Sequence, residues 1–177
     1  MSLRITATVE RWPVAGQFII ARGAKTFVDV LVVAVSNGTH IGYGEGTAIY
    51  YRGETAEKCL GQVERVIDLL EPHSAFDARA LVQIALPPGA ARNALDCALW
   101  DMEAKACGLK MWQLIGLDVE PTPLATAFTI SLGEAHVMEM DAAKAAARGF
   151  GLLKLKLTGD GDRDRVAAVR AGAPDAR

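Results

Sequence analysis

The sequence predicts an α+β domain, a three-stranded antiparallel meander plus a helical bundle, followed by the first strand–helix units of a parallel α/β domain. Three observations predict it. Apolar and polar residues alternate at period two near the N-terminus. Apolar residues then recur at helical spacing from Thr55 to about residue 116. Beyond Pro121-Thr122-Pro123 the pattern becomes strand, helix, strand, helix.

Leu3, Ile5, Ala7 and Val9 alternate with Arg4, Thr6, Thr8 and Glu10, which predicts a half-buried strand over residues 3–12. Pro13 to Lys25 reads as a loop, with its proline, its glycines and the apolar Phe18, Ile19 and Ile20. Thr26 to Val35 is rich in β-branched residues and predicts a strand. Asn37-Gly38 signals a hairpin, and Ile41 to Thr47 returns as a strand loosened by glycines.

Thr55-Ala56-Glu57 opens a helix with Leu60, Val63, Val66, Ile67 and Leu70 on one face and Pro72 after it. A short helix follows over Asp77 to Leu86. Pro88 begins a third, striped by Ala91, Ala94, Leu95, Ala98, Leu99 and Met102, with Gly108 past its end. Residues 111–116 make a last turn. Ala125 to Ile130 is a short strand, and Glu134 to Arg148 an alanine-rich helix closed by Gly149. Leu152 to Leu157 is a second strand, and Asp162 or Asp164 caps a final helix through Arg170. Two strands neither close a barrel nor make a stable sheet. The proline break therefore divides the chain into residues 1–121 and the opening, 122–177, of a second domain.

With 177 residues, 51% of them apolar, a sizeable core is within reach. A net charge of −2 without a basic run gives no footprint for nucleic acid or a membrane surface. The longest apolar run, Val30 to Val35, is far too short to span a bilayer, and the N-terminus lacks the regions of a signal peptide. Cys59, Cys97 and Cys107 are odd in number and contain no CxxC, so buried free thiols in a reducing cytoplasm are expected.

The most informative stretch is Leu152-Leu153-Lys154-Leu155-Lys156-Leu157. A strand puts both lysines on one face, roughly 7 Å apart, where like charges lower each other's pKa and make a base for near-neutral pH. Two solvated lysines on an edge strand explain the same letters. Gly42-Tyr43-Gly44-Glu45-Gly46 lacks the G-x-G-x-x-G spacing of a phosphate loop and reads as glycines relieving a twisted strand. Gly159-Asp160-Gly161-Asp162 fails as a calcium loop, since Arg165 falls on the obligatory glycine and Ala171 on the final glutamate. His40, His73 and His136 have no ligand spacing, and Trp100 and Trp112 read as packing residues. Arg22, beside Phe18, Ile19 and Ile20 and followed by a glycine, suits either a lid over a small carboxylate ligand or a loop folded back on the sheet. Tyr50-Tyr51-Arg52 has the same character.

Phe18-Ile19-Ile20-Ala21-Arg22-Gly23, Gly42-Tyr43-Gly44-Glu45, the helix from Ala91 to Asp101 and Thr129-Ile130-Ser131-Leu132-Gly133 together resemble the enolase superfamily. Lys154-Leu155-Lys156 matches the K-x-K motif of its muconate-lactonizing subgroup, and Phe18 to Gly23 is most similar to dipeptide epimerases, the L-Ala-D/L-Glu type included. The resemblance implies a capping domain over residues 1–121, then the start of an α/β (TIM-like) barrel. It implies 1,1-proton transfer at a substrate α-carbon through an enediolate. Lys156 would be the base and Lys154 the support of the substrate carboxylate, lowering its neighbour's pKa. Arg22 would meet the side chain of a substrate ending in glutamate. Phe18, Ile20 and Tyr50 would shape the pocket from the cap, with Thr129 beside them. The resemblance also implies Mg²⁺, with its ligands and the second base expected beyond the C-terminus. No residue of this chain is assigned as a ligand, and the chain alone is expected to be inactive. The substrate would be a dipeptide or an N-acyl amino acid, and a homo-oligomer would be in keeping with the superfamily. N-acylamino acid racemase and o-succinylbenzoate synthase are the rival activities. A non-catalytic α+β binding module using the residue 18–22 loop is the rival from another class.

Overall fold

Strand-forming residues continue well past the first alternation, and the chain follows them. The structure, a computed structural model, describes residues 2–20 and 23–177, leaving out the side chains of residues 16–18 and 20. Strand β1 runs Arg4–Ile20 and β2 runs Gly23–Ser36. The stretch expected as a loop, Pro13 to Lys25, is therefore mostly strand. Valine, phenylalanine and isoleucine supply the β preference there, and only residues 21 and 22 separate β1 from β2, which permits an antiparallel pair alone. Strand β3, Ile41–Thr47, pairs antiparallel with β2 from Ser36↔Ile41 to Val30↔Thr47, giving the order β1-β2-β3. The β2–β3 turn is wider than a two-residue hairpin. The Asn37 Oδ1 accepts from the N–H groups of Thr39 and His40 at 3.0 and 2.8 Å, while Gly38 takes φ +90°.

The helices are α1 (Ala56–Glu64), α2 (Ile67–Leu70), α3 (Ala75–Ala85), α4 (Ala90–Cys107) and α5 (Met111–Leu114). Thr55 and Ser74 cap α1 and α3 by accepting from the N–H of Lys58 and Asp77, each at 3.2 Å. The helix expected from Thr55 to Leu70 is interrupted. The Val66 N–H reaches back three residues to the Val63 carbonyl, at 3.0 Å, and the tightened turn still buries Val63, Val66 and Leu70. Gly108, left-handed at φ 65°, ends α4.

The chain forms two compact units, Met1–Trp12 with Val28–Pro121, and Pro13–Phe27 with Thr122–Arg177. In the first, α4 covers the sheet. Its inward residues Ala94, Leu95, Ala98 and Leu99 are fully buried, together with Leu31, Val33 and Val35 of β2. Gly42, Gly44 and Gly46 alternate inward along β3, and their role is close approach. A Cβ on Gly44 would stand 2.0 Å from the Ala94 carbonyl oxygen, and one on Gly42 would stand 2.1 Å from the Met102 nitrogen. None of the three has a positive φ, so relief of backbone strain does not explain them.

In the second unit β4 (Ala127–Ile130) and β5 (Leu152–Leu155) pair in parallel, linked by α6 (Ala135–Ala147) and followed by α7 (Asp162–Gly172). A parallel pair requires such a crossover, and both helices pack on one face around Ile130, Met138, Ala142, Ala145, Val169 and Ala173. β5 stops at Leu155, two residues before the expected end, because β4 offers no partner beyond Ile130. Arg177 makes two backbone hydrogen bonds to the start of β5. Its N–H donates to the Gly151 carbonyl at 2.9 Å and its carbonyl accepts from the Leu153 N–H at 2.7 Å. The strand segment 13–27 clusters with this unit, and the Leu132 N–H donates to the Ile19 carbonyl at 3.1 Å. Among the described residues no helix is long and apolar enough to cross a membrane.

Candidate active site

The pleat of β4 and β5 sorts their side chains. Phe128, Ile130, Leu153 and Leu155 point to the helices and pack with them. The alternate residues face the other way, and there Thr129 and Lys154 are direct partners in the strand register. Thr129 is half-buried and Lys154 exposed. Lys156 follows one residue past the end of β5 and is half-buried. The lysine face is therefore the one that α6 and α7 leave uncovered, at the C-terminal end of two adjacent parallel strands. Barrel and open α/β sheets place their chemistry at this end.

The loop after Lys156 is held by polar contacts. The Asp162 carboxylate accepts from the Gly159 N–H at 2.7 Å and from the Thr158 N–H at 3.1 Å. Those two N–H groups, Thr158 first, hold its carboxyl below the usual range against the opposing effect of burial, and the Arg165 guanidinium adds a smaller lowering. Sequence reasoning read Asp162 or Asp164 as the cap of the last helix. The helix instead starts at Asp162 itself, after Gly161 in the left-handed region (φ 65°), and the Asp162 side chain serves the preceding loop. Sequence reasoning gave Arg165 no functional role. The Asp-x-x-Arg spacing at the helix start was the signal for it, since residues three apart on a helix face one another.

Of the other sequence-predicted residues, Tyr50 stands in the first unit on a one-turn 3₁₀ segment, Tyr50–Arg52. It is exposed and edge-on to Tyr51, with ring centroids 5.4 Å apart. Arg22 and the side chains of Phe18 and Ile20 lie outside the described residues. The structure thus brings Thr129 and Lys154 together, with Lys156 close along the chain. Among the described residues no three of His, Cys, Asp and Glu gather closely enough to hold a metal ion, so these side chains do not fit a Mg²⁺ cage.

Comparison with known proteins gives a consistent set. Residues 3–116 match the model of the mandelate racemase / muconate lactonizing enzyme N-terminal domain. The L-Ala-D/L-Glu epimerase of Escherichia coli (strain K12) is 36% identical over 167 residues, which cover 94% of this chain and 51% of that protein. The hydrophobic dipeptide epimerase of Enterococcus faecalis is 30% identical over 144 residues, 77% of this chain and 40% of that protein. The crystal structure of an enolase family member from Agrobacterium tumefaciens, with homology to dipeptide epimerases and with bound sodium and L-Ala-L-Glu, aligns with a TM-score of 0.88. It is 40% identical and is matched over 99% of this chain and 52% of its own. A dipeptide epimerase from Enterococcus faecalis, complexed with Mg and L-Leu-L-Tyr, aligns with a TM-score of 0.88 at 26% identity over all of this chain and 52% of its own. The chain therefore spans about half the length of these relatives, or less.

Proposed function

The chain belongs to the mandelate racemase / muconate lactonizing enzyme family of the enolase superfamily, and from that premise we propose that the protein carrying it epimerises dipeptides by 1,1-proton transfer at an α-carbon. One observation supports this most: Lys154 lies on the strand face that the helices leave open, paired with Thr129, and Lys156 lies at the C-terminal end of the same strand. Residues 1–121 are read as the capping domain and 122–177 as the opening of the barrel.

An α-proton next to a carboxylate is a very weak acid, because its removal places a second negative charge on the same group. Lys156, in its neutral form, takes that proton and becomes an ammonium ion. Lys154 sets a positive charge beside the substrate carboxylate, where the new charge develops. Return of a proton to the opposite face inverts the centre, and that group is not assigned to a residue of this chain. Arg22 is read as the partner of a substrate side-chain carboxylate, with Phe18 and Ile20 shaping the pocket. Mg²⁺ enters the reading from the Enterococcus faecalis complex. The described residues do not fit it, so no step here is assigned to the ion. Relatives at 30% identity or more are named as dipeptide epimerases, which favours that activity over N-acylamino acid racemase or o-succinylbenzoate synthase.

The test is α-proton exchange of a dipeptide panel in D₂O, using the protein as its organism makes it. Lys156→Ala is expected to slow exchange by about 10²- to 10⁴-fold, the usual worth of a general base. Exchange at the unsubstituted rate would remove Lys156 from the reaction.

A further inference from the structure

We propose that Arg165 is a positioning residue that ties the loop following the lysine strand to the loop following its neighbour. This inference rests on the proposed role of Lys156. The Arg165 Nε–H donates to the Gly133 carbonyl, in the loop after β4, at 3.0 Å. Its Nη1 donates to the Thr158 hydroxyl at 3.3 Å and to the Asp160 carbonyl, both in the loop after β5, and to the Oδ1 of Asp162, the first residue of α7, at 3.0 Å. The Arg165 and Asp162 side chains are each only 21% exposed.

This arrangement differs from an ordinary helix-surface ion pair, which contributes little. Three of the four acceptors belong to loop carbonyls or a hydroxyl, and they come from two separate loops. A planar guanidinium offers several donors in fixed directions and so holds acceptors in a fixed mutual geometry, which an ammonium does not. Thr158 and Lys156 are two residues apart, so little backbone freedom remains between the clamp and the lysine. The connection continues on the other side. Leu132, adjacent to Gly133, donates to the Ile19 carbonyl of β1, the strand that precedes Arg22. The Arg165 side chain and the Leu132–Ile19 backbone hydrogen bond, anchored one residue apart in the loop after β4, together connect the loop next to Lys156 with the end of β1. Each link is a hydrogen bond within the second unit.

The test uses Arg165→Gln and Thr158→Val in the protein as its organism makes it, with Lys156→Ala alongside. Amide hydrogen exchange over residues 156–159 reads the loop directly and needs no activity. Faster exchange at Thr158 and Gly159, by about tenfold or more, is expected in Arg165→Gln, with a smaller increase in Thr158→Val. In turnover, kcat is expected to fall by about 10- to 100-fold with less change in KM. The acid limb of the kcat/KM profile should move as well, because a displaced lysine loses its reach and its surroundings change. Unchanged loop exchange and an unmoved acid limb would overturn the proposal even if the melting temperature fell, since that pattern marks a merely structural arginine. Should Arg165→Gln not fold, Arg165→Lys and Thr158→Val carry the same two readouts. If Lys156→Ala retains α-proton exchange, the base assignment falls while loop exchange still decides the role of Arg165.

Discussion

The two units of this chain pack helices on sheets in contrasting ways. In the first, β3 meets α4 backbone to backbone, through Gly42, Gly44 and Gly46 against Ala90, Ala94 and Ala98. No polar or charged residue of either unit is fully buried among the described residues, and the first unit also holds the half-buried pair Arg79–Glu103 at 2.9 Å. In the second, two short parallel strands carry a small apolar cluster on one face and lysine and threonine on the other, and the loops beyond them are held by Asp162 and Arg165. The contrast separates tasks. Close apolar packing gives the first unit its stability, while the second trades core for a polar end whose geometry rests on hydrogen bonds.

The sharpest way to break that comparison is Gly44→Ala. The added methyl would meet the Ala94 carbonyl oxygen at 2.0 Å and the Ala98 nitrogen at 2.6 Å. Both are backbone atoms of a long helix and cannot step aside, so a loss of about 3 kcal/mol or more is expected in denaturant melts. A loss under about 1 kcal/mol would mean that α4 slides freely over β3. The matching change in the second unit is Gly172→Ala, whose methyl would meet the Glu139 carbonyl oxygen of α6 at 2.2 Å. Here two helices on a smaller core can shift apart, and a smaller loss of about 1–3 kcal/mol is expected by the same measurement. Equal losses at the two glycines would erase the distinction between the units.

A gentler probe is acid. The Asp162 carboxyl titrates below its unfolded value, so its contribution is fully present above about pH 4 and is lost as pH falls through the lowered folded value. Amide exchange at Thr158 and Gly159 should therefore accelerate below about pH 4, beyond the intrinsic pH dependence of exchange, and Asp162→Asn should remove that extra step. Asp29 in the first unit is lowered likewise by its two-point pair with Arg11, at 2.7 and 2.9 Å. An acid step confined to the strands around Asp29, with none at Thr158, would contradict the picture of a loop held by Asp162.

Much of this was legible in local pattern. The stripe on α4 was readable because each inward residue follows the last by three or four positions, whatever it packs against. The opening of α1 at Thr55 was an equally local signal, whereas the Ser74 cap, which starts α3 at Ala75 and not at Asp77, was not read. The residue 13–25 segment was misread because proline and glycine mark loops in isolation, whereas a neighbouring strand recruits such a segment into a sheet by supplying hydrogen-bond partners. The lysine strand was read two residues too long for the converse reason: strand residues without a partner do not remain strand.

By itself, then, the sequence determined the kinds and order of the elements and the alternation that separates Lys154 from Leu153 and Leu155. These depend on periods of two and 3.6 residues that a chain carries wherever it folds. Only the tertiary structure decided that Thr129 stands opposite Lys154, that three glycines admit a helix, and that Arg165 joins two loops. Each of these is a contact between segments distant in sequence. Its geometry depends on strand register and close approach, which no local pattern specifies.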